Sequence, residues 1–448
     1  MQSAQEKAEF FETGSVWKIL IKLSPPVMAA NLITGLYNVV DSYFIGKYSN
    51  EGLTALSVIF PLQLIIFALG IGTGVGVNTQ MSAFYAKKRQ ASADNTAGTG
   101  QMLIIITWAI FSLLSLAFMR LYVSFSASTP EVVEAAVSYG NIVCVGSLPL
   151  LLELIWEKVH QSYGSMMIPT IGQITGAVVN IILDPILIFG WGVIPEMGVT
   201  GAAIATVIGQ CFGAIITFYG GWRRIPSLAA MKAYAFHIYK LGFPSIVMQS
   251  LYTVYIYLLN VILAGFCDEA ITVLGLYYKL QAFFWIPLFA MQTCIVPVLS
   301  YNYEKKLYDR CHKIFIDSLI FSAILMLIGF FAFEFWPAQL IGLFSNNKKV
   351  FDIGIYGFKI IGLSFIPAVI SLTYPVYFQA IGKGWESVFI SVLRQLICLV
   401  PIFWAFSFIG LSYTWLAFPV SEVITSIVGY FMYKSVRKLE VRSLKLEA

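Results

Sequence analysis

Residues 166–190 read MMIPTIGQITGAVVNIILDPILIFG. Only one side chain in this stretch is charged, Asp184. A bilayer core about 30 Å thick needs ~20 mainly apolar residues to cross it as a helix. The run is long enough, and it lacks the sustained period-2 alternation of a membrane strand. It therefore reads as a transmembrane helix with one acid at membrane depth.

The rest of the chain has the same character. Of 448 residues, 58% are hydrophobic and 11% charged, with a mean hydropathy of +0.80. Soluble domains carry roughly 25% charged residues, so a compact water-soluble enzyme would lack the charge to cover its surface. Disorder is excluded by an aromatic content of 15%. Six cysteines without a CxxC spacing read as small apolar residues, not as a disulfide framework or a zinc site. The acid-containing N-terminus does not read as a cleavable signal.

Apolar runs and their breaks place about twelve spans, at 16–45, 53–83, 98–122, 133–158, 166–190, 197–221, 238–266, 270–301, 311–335, 353–381, 387–408 and 411–434. With a cytoplasmic N-terminus, Lys87-Lys88-Arg89, Arg223-Arg224, Lys305-Lys306, Arg310, Lys434, Arg437 and Lys438 fall inside, and Lys47, Arg120, Lys348 and Lys349 outside. This is the asymmetry expected of a membrane protein. The expectation is an all-α polytopic protein of the cell membrane with both termini cytoplasmic. The formal charge of +5 then reports topology rather than a nucleic-acid partner.

An internal repeat runs through the sequence at an offset of about 218 residues. Lys22-Leu23 and Pro26 correspond to Lys240-Leu241 and Pro244. Tyr139-Gly140 and Pro149 correspond to Tyr356-Gly357 and Pro367, and Gln161 and Gly164 to Gln379 and Gly382. The offset covers six helices, an even number, so the halves are parallel repeats. Transporters built in this way bind substrate between their halves near the midplane. The expected domains are a six-helix lobe at 1–221, a cytoplasmic linker at 222–237, and a second six-helix lobe with a cytoplasmic tail at 238–448.

Ionisable residues at membrane depth are costly and usually functional. Asp41 lies late in the first span, and Asn180 and Asp184 share a helix face in the fifth. Pro185 cannot donate to the carbonyl of Ile181. A carboxylate, an amide and a freed carbonyl suit a proton site or a small cation. Glu153 lies deep in the fourth span, with Glu157 one turn away towards the inner interface and as readily solvated as buried. Lys279, Arg394 and Glu422 fall in the second half, where Glu422 would serve an internal ion pair. Asp41 aligns with Asn260, and Asp184-Pro185 with Val400-Pro401, so ion coupling should sit in the first lobe. Tyr252, Tyr255, Tyr257, Tyr277, Tyr278, Phe283, Phe284 and Trp285 make the second half aromatic, as ordinary packing or as a face for apolar cations. No HExxH, GxSxG or Walker motif occurs, so no enzyme activity is expected.

The stretch Leu23-Ser24-Pro25-Pro26 through Leu36-Tyr37-Asn38-Val39-Val40-Asp41 and Gly46, followed by Ala55-Leu56, resembles the opening of multidrug and toxin extrusion (MATE) transporters. Asn180-x-x-x-Asp184-Pro185, Gly201-Ala202-Ala203-Ile204-Ala205-Thr206 and Lys240-Leu241-Gly242-Phe243-Pro244 are similar to the same family. The resemblance covers essentially the whole chain. It implies a twelve-helix, two-lobed antiporter that exports organic cations and other drugs against inward proton or sodium flow, by rocking of its lobes. It also implies ion coupling at Asp41, Asn180, Asp184 and Thr206, with Ala202 offering a backbone carbonyl. A sodium ion would bind at Asp41, Asn180, Asp184 and Thr206. The substrate-cavity candidates are Tyr37, Glu153, Tyr255, Asn260, Tyr277, Lys279, Trp285 and Arg394. No cofactor is expected beyond the coupling ion, H+ or Na+. The expected partners are small amphiphilic or cationic substrates and the lipid bilayer, with no nucleic acid and a monomeric state. A flippase for lipid-linked saccharides, a function of similar-looking relatives, is the alternative. It would need a cationic cavity, for which Lys279 and Arg394 are the candidates.

Overall fold

The computed structural model describes residues 4–126, 129–345 and 347–447. The described chain is almost wholly helical. In order it forms α1 (Ala4–Thr13), α2 (Val16–Tyr48), α3 (Asn50–Ala86), α4 (Gln90–Ser126), α5 (Pro130–Val145), α6 (Leu148–Ser162), α7 (Met167–Phe189) and α8 (Gly198–Gly221). There follow α9 (Leu228–Ala264), α10 (Asp268–Phe284), α11 (Ile286–Glu304), α12 (Tyr308–Phe335), α13 (Pro337–Gly342), α14 (Lys348–Gly362), α15 (Phe365–Ala380) and α16 (Gly384–Val392). A π-helical turn at Leu393–Leu399 leads into α17 (Val400–Ser407), α18 (Leu411–Thr414) and α19 (Ala417–Glu447).

Among the described residues, nine helical segments are long and apolar enough to cross a bilayer, and counting three bent pairs as single spans brings the total to 12. All twelve coincide with the runs read from the sequence. The bends are 41° between α5 and α6, 52° between α10 and α11, and 54° between α14 and α15. At two of them the cause is shared by the repeat. Ser147 donates to the carbonyl of Cys144 (2.7 Å) and Ser364 to that of Ile361 (2.6 Å). Two and three residues on, Pro149 and Pro367 lack the N–H that would continue the helical ladder.

Contacts divide the chain into two compact units, Met1–Glu9 with Pro25–Ile246, and Phe10–Ser24 with Val247–Ala448. These limits differ from the expected ones in three places, the first being that residues 238–246, expected in the second lobe, fall in the first unit. Residues 10–24 belong to the second unit, because the Phe11 carbonyl accepts from Arg310 (2.9 Å) and from Asn302 (3.0 Å), and Glu12 pairs with Lys305. The expected linker is also shorter. Residues 228–237 contain no Gly or Pro and form the first turns of α9, which leaves 222–227 as the irregular segment. That segment is fastened to the first unit. Arg223 pairs with Asp94 (2.7 Å), and Gln101 accepts from the Arg223 amide (2.9 Å) and donates to its carbonyl (2.7 Å).

In the second unit the core is aromatic. Phe333 lies 4.9 Å, ring to ring, from both Phe358 and Phe365, and Tyr277, Phe403, Trp415 and Phe418 continue the cluster. In the first unit the α7–α8 seam is made of small residues. A Cβ on Gly176 would stand 2.8 Å from the Gly209 carbonyl oxygen, so the two backbones meet directly there.

Candidate functional site

The first-unit candidates converge. On α2, Tyr37 and Asp41 are four residues apart and share a face. The side chains of the intervening Asn38 and Val39 lie outside the described residues. On α7, the residues Gly172, Gly176, Asn180 and Asp184 recur every four positions and form one stripe. Its glycine end lets α8 approach, and its polar end faces Thr206. Asn180 Nδ2 donates to Asp184 Oδ1 (3.2 Å) and lies 3.4 Å from Thr206 Oγ1. The Asp184 carboxyl also meets that of Asp41 across to α2. Ala202 lies one turn before Thr206 inside α8 and is fully buried.

This cluster is buried, and among the described residues no Lys, Arg or His hydrogen-bonds to it. Asp184 is 0% exposed, Asn180 2% and Asp41 8%. Asp41 Oδ1, Asn180 Oδ1 and Asp184 Oδ2 are buried without a hydrogen-bond partner among the described residues. Buried polar atoms are normally satisfied, and exceptions cluster at working sites. A hydrogen bond between two carboxyls requires a proton on one of them. Tyr37 and Tyr139 stand close enough to feel both acids.

Glu153 is placed in the same unit, on α6, with its carboxyl against Gly213 of α8. One turn further, Glu157 is buried, not solvated. It accepts from Lys158 Nζ (2.9 Å), Gln161 Nε2 (2.7 Å) and Gln173 Nε2 of α7 (2.6 Å). The amides that satisfy it come from positions that carry no charge, which is why the sequence alone left its surroundings open.

The second-unit candidates separate. Arg394 sits in the π-helical turn and pairs with Glu422 of α19 at 2.7 Å, and Ser371 donates to the same carboxylate. Tyr255 and Tyr277 are buried within electrostatic reach of this pair. Trp285 belongs to the aromatic core, edge-on to Phe365 at 5.9 Å. Lys279 lies over the ring of Phe344 (6.0 Å), and Asn260 is half-buried. Arg394, Glu422, Tyr255 and Tyr277 thus form one electrostatic group, and Trp285 shares the aromatic core with the two tyrosines.

The MatE family model matches this chain twice, at residues 26–186 and 244–404. The chain belongs to the MatE family. The two MatE matches are displaced by 218 residues at both ends, the offset read from the sequence, and each begins on a proline, Pro26 or Pro244. Members of this family are transporters, and this one is a multi-pass membrane protein.

Among similar proteins, the multidrug export protein MepA of Staphylococcus saprophyticus is 26% identical over 442 residues, 95% of each chain. MepA of Staphylococcus haemolyticus is 23% identical over 443 residues, 96% of each chain. A solved multidrug resistance MATE transporter in its outward-facing conformation has the same fold, with a TM-score of 0.90 at 20% identity over 99% of each chain. So does a MOP superfamily transporter from Pyrococcus furiosus described as having a binding pocket of reverse polarity, with a TM-score of 0.88 at 21% identity over 97% of this chain and 98% of that one. Asp41, Asn180 and Asp184 lie inside the first MatE match, whereas Thr206 and Glu422 lie outside both.

Proposed function

We propose that this MatE family protein is an antiporter that exports cationic or amphiphilic small molecules from the cytoplasm across the cell membrane, driven by inward proton flow. It works as a monomer with both termini cytoplasmic, by alternating access through rocking of its two halves. The observation that carries the reading is the buried contact between the Asp41 and Asp184 carboxyls, which needs a shared proton. Losing or gaining that proton changes the contact between α2 and α7 and so biases the first unit between two shapes. The name of the Staphylococcus relative, a multidrug export protein, supports the class of cargo.

A proton suits the site better than a sodium ion. Sodium would take its oxygens from Asp41, Asn180, Asp184 and Thr206, but Asn180 turns its donor nitrogen towards Asp184 and Thr206. Export of a polyanion finds less support, since Arg394 is already neutralised by Glu422.

The test is dye efflux from reconstituted vesicles under separate pH and sodium jumps. A pH jump should drive efflux of a cationic dye and a sodium jump should not. Unchanged pH-driven efflux in both Asp41→Asn and Asp184→Asn would sink the coupling assignment.

A further inference from the structure

The last span of each half is followed by an arginine, and the two arginines meet different partners. In the first unit Arg223, just past α8, pairs with Asp94 of α4 at 2.7 Å. The residue 218 positions beyond Asp94, the offset of the repeat, is His312 of α12. Arg437 of α19 meets it, with Nη1 3.1 Å from His312 Nε2. The second unit thus sets a histidine where the first sets a carboxylate.

That contact fixes the state of the ring. A guanidinium can only donate, so His312 Nε2 carries no hydrogen and accepts from Arg437. The other ring nitrogen, Nδ1, then carries the hydrogen of a neutral imidazole and donates to the Tyr433 hydroxyl oxygen at 2.5 Å. The ring also stacks on Tyr433, with centroids 5.9 Å apart, and Tyr433 stacks in turn on Phe315 at 4.9 Å. Here α12 and α19 are held together by a ring that must be neutral. A proton on Nε2 would remove the acceptor and set a second positive charge within hydrogen-bond distance of Arg437. A carboxylate stays ionised through the range in which histidine titrates, and a histidine changes charge there.

The charged and titratable groups around His312 come from four helices. α12 itself adds Cys311 and Asp309, the latter 4.0 Å from Arg437 Nη2. α19 adds Tyr433, Arg437 and Glu440, α15 adds Tyr374 and Tyr377, and α11 adds Tyr303. Neither acid takes up the charge of a proton on the ring. The Asp309 side chain is 97% exposed, where water screens its attraction, and Glu440 turns to Tyr377 and Tyr303.

We propose that His312 is a pH-dependent fastener for the end of α19: neutral, it holds Arg437 and Tyr433 against α12, and on gaining a proton it lets them go. The docked arrangement takes only the neutral ring, so it is complete above the histidine range and is lost as the pH falls through it. This goes beyond the export reading and borrows from it only the side of the membrane. With the C-terminus cytoplasmic, inward proton flow acidifies the side that His312 faces, so the release answers the transporter's own exchange.

The test is limited trypsin digestion of the full chain in detergent micelles. Cleavage after Lys434, Arg437 and Lys438 is divided, at each pH, by cleavage of a free peptide of residues 430–442. Such a rate follows the population of the open form. Between about pH 8 and about pH 6, normalised cleavage of the wild-type chain should rise about tenfold, the effect of one lost charge-assisted hydrogen bond. His312→Gln offers Arg437 an oxygen that does not titrate, and His312→Asp restores the carboxylate of the first unit. Both should stay within about twofold over the same range. If the His312 variants do not assemble, Arg437→Gln stands in for them. Its amide can donate to the neutral ring or accept from the charged one, so cleavage after Lys438 should also stay within about twofold. A flat wild-type profile overturns the proposal, and so does an undiminished rise in His312→Gln, or in Arg437→Gln where that variant stands in. The digestion uses no gradient and no cargo, so its outcome is separate from that of the proton-driven reading.

Discussion

The two units share a repeat, yet they handle buried charge in opposite ways. The first buries Asp41 and Asp184 against each other and an amide, with no cationic side chain beside them among the described residues. The second buries Glu422 against Arg394 and completes it with the Ser371 hydroxyl. A compensated ion pair can stay charged throughout, whereas two acids in contact must hold a proton. On the proposed reading, the first arrangement carries the coupling proton, while the second is a compensated ion pair that holds the structure.

Breaking the second arrangement should have the largest effect on stability. Glu422→Ala leaves Arg394 buried and uncompensated, and should cost about 3–5 kcal/mol, read as a fall in the melting temperature of detergent-solubilised protein. Replacing both partners, Arg394→Met with Glu422→Leu, should restore most of that loss. Asp184→Asn sharpens the contrast from the other side. It should keep the melting temperature within the range of a ~1 kcal/mol change, yet bring pH-driven dye efflux down to that of empty vesicles. A destabilised Asp184→Asn with intact efflux would erase the distinction between the units.

Smaller effects should follow packing. Gly176→Ala places a methyl group against the Gly209 carbonyl and should cost about 2 kcal/mol by forcing α7 and α8 apart. The smallest change should come at the exposed Arg120–Glu134 pair. Arg120→Ala there should shift stability by less than ~1 kcal/mol, because water already screens both charges.

Much of this was legible in the chain itself. The spans follow from the cost of hydrophobic length, and the repeat from prolines and glycines that shape helices wherever they occur. Asp41, Asn180 and Asp184 stood out because an ionisable group in hydrocarbon needs a reason. Other features were hidden. The bends at Ser147 and Ser364 depend on a hydroxyl turning back to its own helix, and the same residue elsewhere leaves a helix straight. The π-helical turn that carries Arg394 has no composition of its own. The burial of Glu157 depends on Gln173, sixteen residues away on another helix. The attachment of residues 10–24 to the second unit depends on Arg310 and Asn302, which reach a single backbone carbonyl from far along the chain.

The carboxyl contact between Asp41 and Asp184 also bears on the electrical character of the cycle. On the proposed reading, one proton is shared there, so one proton enters for each turnover. If the departing cargo carries a single positive charge, the exchange moves no net charge across the bilayer. A membrane potential, worth about 2.3 kcal/mol per elementary charge for each 100 mV, would then do no work on the cycle. The pH difference alone would set how steeply the cargo can be concentrated outside, and a doubly charged cargo would feel the voltage as well.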